Sequence, residues 1–241
     1  MDQEKTFENQ SRVILSHLKS GLRYDHNFLP RPFFLEFTGS PSGGKSTVID
    51  ELDSFLRHHG FRVLKPQEGA EVIRHISRKT PLYNIRTGLY ALSILIDQSI
   101  GHLYDVVIFE RCLFDVYCWM NDWFQQGMLN GEEKDLIQKF FLSRFWIDNI
   151  DAAYFMICDP EVAMKRQMRI SPSQKLGTTT NPEKIRTLLN HYKRAYEILS
   201  PQFSQLSLID TSHIDESTMV ELVIKRVLEV LVKKAKSDPI S

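Results

Sequence analysis

The sequence predicts an α/β fold in three layers, with a five-stranded parallel sheet covered by helices on both faces and a helical lid. Three observations carry this. Short apolar runs alternate with amphipathic stretches of helical period from Phe33 onward. One run, Val106-Val107-Ile108-Phe109, is apolar throughout, as a strand buried on both faces requires. The first run leads through a glycine-rich turn straight into a helix, the unit from which parallel sheets are wound.

Taken in order, Val13, Ile14, His17 and Leu18 suggest an amphipathic helix within an N-terminal extension over residues 1–31, closed by the prolines at 30 and 32. Residues 33–38 read as the first strand and 45–59 as the helix that follows. Gly60 supplies its C-terminal stop, and 61–65 read as the second strand. A short helix is expected over 70–77, broken before Pro81. Another covers 85–102, where Leu89, Leu92, Leu95 and Ile96 keep helical spacing. The third strand is 106–109, followed by helices over 113–124 and 135–147. The fourth strand covers 153–158, and helices over 161–169 and 183–199 flank a polar stretch. Residues 206–210 form the fifth strand, and 217–234 the closing helix. The stretch without clear structure, 171–181, reads as the centre of a lid over 165–182, since long loops in compact domains are usually functional. Trp119, Trp123, Phe124, Phe140, Phe141, Phe145 and Trp146 read as core or as the wall of a substrate pocket.

The chain has 241 residues with 30 basic and 30 acidic side chains, a size that one domain can fill. Zero net charge removes the basic footprint of a nucleic-acid binder. Cys112, Cys118 and Cys158 lack metal-ligand spacing and fit a reducing compartment. No apolar run follows Met1, and none approaches the ~20 residues needed to span a bilayer. A soluble cytoplasmic protein is expected, with no membrane partner.

The glycine-rich turn is specific. Gly39-Ser40-Pro41-Ser42-Gly43-Gly44-Lys45-Ser46 fits the phosphate-loop (Walker A) pattern at every required position. A triphosphate needs many donors at short range, and glycines let backbone N–H groups approach it. The helix starting near Lys45 adds unpaired N–H groups and the positive end of its dipole. Lys45 is expected to reach the β- and γ-phosphates, and the Ser46 hydroxyl to ligate Mg²⁺. Thr47 is a further donor to the α-phosphate, and Pro41 stiffens the loop. The expected architecture is therefore the P-loop NTPase fold, with ATP and Mg²⁺ as cofactors.

Ligands of parallel sheets lie at the carboxyl ends of the strands, where three polar clusters fall. Glu68, after the second strand, is either a base for an acceptor hydroxyl or a loop carboxylate that favours a helix dipole. Glu110-Arg111 ends the apolar third strand, with Asp115 one helical turn on. Here Glu110 would hold Mg²⁺ while Arg111 and Asp115 face the substrate; the bland alternative is a helix-start salt bridge. Arg166 and Arg169 share one helix face. They either close over the nucleotide and neutralise the transferred phosphoryl group, or simply complement a helix C-terminus.

Together these residues resemble the deoxynucleoside kinase and thymidylate kinase group of P-loop kinases. That resemblance implies a base at Glu68, a Glu-Arg pair at Glu110-Arg111 and an Arg-x-x-Arg lid helix at Arg166 and Arg169. It also implies a Leu…Tyr helix, matched by Leu188-Leu189-Asn190-His191-Tyr192. The chain is similar as well to NadR-like nucleoside kinases and P-loop ATPases. Two positions depart from the deoxynucleoside kinases: Cys112 stands where they usually have Ser, and Ser171 where they have a third lid Arg. The resemblance implies transfer of the γ-phosphate to a small acceptor, a nucleoside or nucleotide, by an enzyme that is often a homodimer. The alternative is a regulatory ATPase or nucleotide-dependent switch acting on a protein partner.

Overall fold

The computed structural model describes residues 8–13, 15–16, 31–100, 103–170 and 181–237. Its elements are β1 (Phe33–Gly39), α1 (Lys45–His58), β2 (Val63–Leu64), α2 (Gly69–Val72), α3 (Pro81–Ile100), β3 (Val106–Glu110) and α4 (Leu113–Gln125). There follow α5 (Gly131–Phe141), α6 (Arg144–Ile147), β4 (Ile150–Ile157), α7 (Pro160–Ile170), α8 (Pro182–Leu199), β5 (Leu206–Asp210) and α9 (Glu216–Ser237). A helical segment over 8–13 and 15–16 precedes them.

The five strands form one parallel sheet in the order β2-β3-β1-β4-β5. β1 lies at the centre, paired with β3 from Phe33↔Val106 to Phe37↔Glu110 and with β4 up to Gly39↔Met156. The chain leaves β1, returns beside it as β3, then crosses to its other side as β4. The crevice at this reversal is where open parallel sheets bind ligands.

Successive side chains of a strand face opposite ways, so β1 divides its residues between two cores. Phe33, Leu35 and Phe37 join Val106, Ile108, Tyr154 and Met156 under α1 and α9. Phe34 joins Val107, Phe109, Phe155 and the helices α3, α4 and α8 on the opposite face. Glu36 and Thr38 point to that second face too, both with no exposed surface. Two polar groups in an apolar layer require partners, and they turn out to hold the site together.

The strands and most helices stand where the sequence places them, and the differences have local causes. β2 is confined to Val63–Leu64, paired only with Val106 and Val107 at the sheet edge. α3 starts at Pro81 rather than at 85, because the Thr80 hydroxyl accepts the Leu82 N–H at 3.1 Å and proline suits the first helical position. The helix expected over 70–77 is a single turn, α2. The helix expected over 135–147 is two. An Asn130–Glu133 capping box starts α5 at Gly131, and Leu142 ends it before α6 begins.

Three aromatics depart from the core-or-pocket reading: Phe124, Phe140 and Phe145 are 45%, 44% and 84% exposed. Trp123 and Phe141 are buried, and Trp119 lines a cavity. In the N-terminal helix the inward residues are Ser11 and Leu15, while Val13 is exposed. Ile14, His17 and Leu18 lie outside the described residues, as do lid residues 171–180.

Candidate active site

The phosphate loop connects β1 to α1 through backbone angles that favour glycine. Gly39 and Gly44 have φ of 136° and 90°, and Ser42 has 57°. A Cβ at Gly39 would lie 1.8 Å from the Met156 carbonyl oxygen, so the loop packs directly on the end of β4. The Ser40 N–H donates to that same oxygen at 3.0 Å, and the Ser40 hydroxyl accepts the Cys158 N–H at 3.2 Å. Pro41 and Ser42 turn their carbonyls toward the Cys158 thiol.

Lys45, on the first turn of α1, is buried and donates to the carbonyls of Ser40 at 2.9 Å and Gly39 at 3.4 Å. Burial, then the nearby Arg111 charge, lowers its pKa to about 8, against the pull of Glu110, Asp115 and Glu68. Its ammonium thus shares one electrostatic neighbourhood with all the polar residues singled out beyond β2 and β3. Next to it the Ser46 hydroxyl donates to Glu110 Oε1 at 2.9 Å. Both are oxygen donors, as Mg²⁺ prefers, and phosphate and water would complete its shell. Among the described residues no cluster of three or more His, Cys, Asp or Glu forms a separate metal site.

The second half of the site centres on Arg111. Its Nε meets Glu68 Oε1 at 3.1 Å, and its Nη1 donates to Asp115 Oδ1 at 2.8 Å and to the Tyr192 hydroxyl at 2.9 Å. Burial opposes the guanidinium's charge, but Asp115 and the other acidic groups around it raise its pKa well above the ordinary value. Asp115 Oδ1 also accepts from Thr38 at 2.5 Å and from Tyr192 at 2.7 Å. Four elements therefore converge on one carboxylate: β1, the β3–α4 turn, α4 itself and α8. Burial raises the pKa of Glu68, opposed by Arg111 and reinforced by Glu110 and Asp115, which brings it toward the strength of a general base.

Arg111 stands at φ 60°, a left-handed conformation that costs a non-glycine residue about 1–2 kcal/mol. Its N–H is held by the Phe37 carbonyl at 2.9 Å. Beyond it, the N–H groups of Cys112 and of the first three residues of α4 all point at the Glu36 carboxylate. Burial pushes Glu36 up to about 7 even against those donors, with Asp115 adding to the rise. Cys112 carries no side-chain cap, and burial, with Glu36 adding to it, holds its thiol well above the ordinary range, which disfavours the reactive thiolate.

Glu68, Arg111 and Asp115 line a cavity of about 200 Å³ with Arg78, Tyr83, Asn84 and Trp119. The Tyr83 hydroxyl is buried and has no hydrogen-bond partner among the described residues. Asn84 is fixed by the Trp123 indole N–H, which donates to its Oδ1 at 2.8 Å. On the other side of the loop, Arg166 of α7 donates to the Ser42 carbonyl at 3.1 Å, to the Thr211 hydroxyl at 2.9 Å and to the Thr211 carbonyl at 2.7 Å. Gln167 accepts from the Ser42 hydroxyl at 3.1 Å. Arg166 thus rests on the phosphate loop; the Arg169 side chain lies outside the described residues.

Sequence reasoning brings Lys45, Ser46, Glu68, Glu110, Arg111 and Asp115 to one crevice, and the structure places them there. It misses Glu36, Thr38 and Tyr83. Tyr192 entered only through the Leu…Tyr resemblance. A lone Glu inside an apolar strand was the one available signal for Glu36.

No protein-family model matches the chain. It is 26% identical over 213 residues to a thymidylate kinase from Caldicellulosiruptor saccharolyticus, covering 83% of this chain and 98% of that one. Among solved structures it is similar to deoxyadenosine kinase from M. mycoides with bound dATP, with a TM-score of 0.56 at 18% identity over 81% of this chain and 98% of that one. The same kinase with dCMP and dCDP bound gives a TM-score of 0.57 at 15% identity, over 82% and 100%. The structural likeness is one of fold: a five-stranded, all-parallel α/β sheet of the deoxynucleoside kinase P-loop type. Relative and neighbours together support the P-loop nucleoside and nucleotide kinase group that these residues resemble.

Proposed function

We propose that the chain is an ATP- and Mg²⁺-dependent phosphotransferase that moves the γ-phosphate to a small hydroxyl or phosphate acceptor, a nucleoside or nucleotide. One observation carries the reading: the Glu68–Arg111 pair faces a cavity and lies in the electrostatic neighbourhood of Lys45. A nucleotide-dependent switch has no need of such an acceptor chamber beside its phosphate loop, and that reading takes second place.

In this reading Lys45 and the N–H groups of Gly44 to Thr47 hold the phosphates, while the Ser40 and Gly43 N–H groups, bonded to the Met156 and Ser40 carbonyls, set the shape of the loop. Ser46 and Glu110 hold Mg²⁺, which when bound neutralises phosphate charge. Glu68, strengthened by burial, accepts the proton of an acceptor hydroxyl. Arg111 orients Glu68 and the acceptor, while Asp115 orients Arg111 from the cavity wall. Tyr83 adds its side chain to the wall of the same cavity. Arg166, seated on Ser42, and Arg169 stabilise charge on the transferred group as part of a lid over 165–182. The cavity, about 200 Å³, is smaller than the ~300–1,000 Å³ of most ligand pockets and suits the reacting end of a small acceptor.

The chain is read as one catalytic domain acting in the cytoplasm, without nucleic-acid or membrane partners and with a homodimer as the form to test. No helix among the described residues is long and apolar enough to cross a membrane. The experiment is ATP consumption against a panel of nucleosides, nucleotides and small alcohols. Turnover that rises with one acceptor supports the reading. Hydrolysis indifferent to every acceptor transfers it to the switch.

A further inference from the structure

We propose that Glu36 is a positioning residue: from the buried face of β1 it fixes the turn that aims Arg111 into the acceptor cavity. The Glu36 side chain has no exposed surface and shares its face of the sheet with Phe34 and the apolar layer below α4. Its two oxygens accept four consecutive N–H groups, those of Cys112 at 3.0 Å, Leu113 at 3.0 Å, Phe114 at 3.1 Å and Asp115 at 3.0 Å. These are the groups that a helix leaves unpaired at its start. A helix usually supplies the cap from its own N-cap side chain, and here Cys112 makes no such bond. The cap comes instead from a strand 76 residues earlier in the chain.

The consequence falls on Arg111, which precedes the capped turn at φ 60°. A non-glycine residue stays in that region only when both of its sides are held. The Phe37 carbonyl holds one side through the Arg111 N–H at 2.9 Å, and Glu36 holds the other through the N–H groups that follow. Both anchors are neighbours on β1, the strand that ends in the phosphate loop. The guanidinium that meets Glu68 at 3.1 Å is thereby referenced to the same strand as the phosphates. An offset of about 1 Å between reacting groups costs on the order of 10²-fold in rate, so this shared reference matters. The inference rests on the phosphotransferase reading for its kinetic consequence only.

The test is Glu36→Gln, which keeps the shape but offers one accepting oxygen and turns an amide N–H₂ toward N–H donors. Amide exchange of residues 112–115 should quicken by about tenfold or more. For the acceptor, KM should rise and kcat/KM fall by about 10²-fold, while the KM for ATP stays within about twofold. Adding Cys112→Ser supplies a hydroxyl cap and should recover most of the loss. Faster amide exchange with an unchanged acceptor KM overturns the proposal, as does an equal rise in both KM values without rescue. Should Glu36→Gln not fold, the double variant carries the test: a near-normal acceptor KM supports the proposal. A raised acceptor KM, or failure of the double variant to fold, overturns it. If the wild-type protein turns over no acceptor, the phosphotransferase reading fails separately, and the Arg111 Nε–H resonance decides. Slow exchange in the wild type and the double variant, lost in Glu36→Gln, supports positioning; identical behaviour in all three overturns it.

Discussion

Removing the Tyr192 hydroxyl perturbs the candidate site without touching the phosphate loop or the proposed base. Tyr192 is fully buried on α8, where its hydroxyl donates to Asp115 at 2.7 Å and accepts from Arg111 at 2.9 Å. Tyr192→Phe deletes both bonds and adds no bulk. Hydrogen bonds to charged partners contribute about 1.5–3 kcal/mol each. Asp115 and Arg111 keep their mutual contact at 2.8 Å, and Asp115 keeps Thr38, so part of the loss is recovered within the network. We therefore expect a net cost of about 2 kcal/mol in unfolding free energy. If the same amount is lost in aiming Arg111, kcat/KM for the acceptor falls by about thirty-fold. Denaturant unfolding and steady-state kinetics with each substrate varied in turn provide the assay. An acceptor kcat/KM equal to that of the wild type, or a loss shared equally by ATP, refutes the role given to this hydroxyl.

Three further outcomes follow from the loop. Lys45→Met should abolish nucleotide-dependent thermal stabilisation, because it removes the buried ammonium that rests on the loop carbonyls and that the proposed function assigns to the phosphates. The same variant tests a pH effect. The folded pKa of about 8 lies below the ordinary 10.5, so between these values the unfolded chain binds more protons. Stability of the unliganded wild type should therefore rise over that range, lost again as pH falls through about 8, and Lys45→Met should flatten this part of the curve. Ser46→Ala removes the hydroxyl that meets Glu110, and the Mg²⁺ concentration for half-maximal turnover should rise by about tenfold or more in a metal titration.

What the sequence revealed depended on how local the signal was. The loop is legible because its eight residues are contiguous and every one of them obeys the pattern. Glu110-Arg111 is legible because an ionic pair at the end of a fully apolar strand has few structural uses. Glu36 could not be read in the same way. Its partners lie 76 to 79 residues away, and their N–H groups carry no side-chain signature. The Tyr83 hydroxyl is hidden for a related reason: a Tyr at the start of a helix looks the same in sequence whether it is solvated or faces a cavity. Element boundaries moved where capping outweighed periodicity, as at Thr80-Pro81 and Asn130-Glu133.

The central claim is that Glu68 serves a phosphoryl acceptor and not a water molecule. ATP turnover by the wild type and by Glu68→Gln, measured with and without the best acceptor from the panel, tests it most directly. The account predicts acceptor-dependent turnover in the wild type, reduced by about 10²–10⁴-fold in Glu68→Gln with nucleotide affinity unchanged. Full turnover in Glu68→Gln, or ATP hydrolysis that no acceptor accelerates, would contradict it.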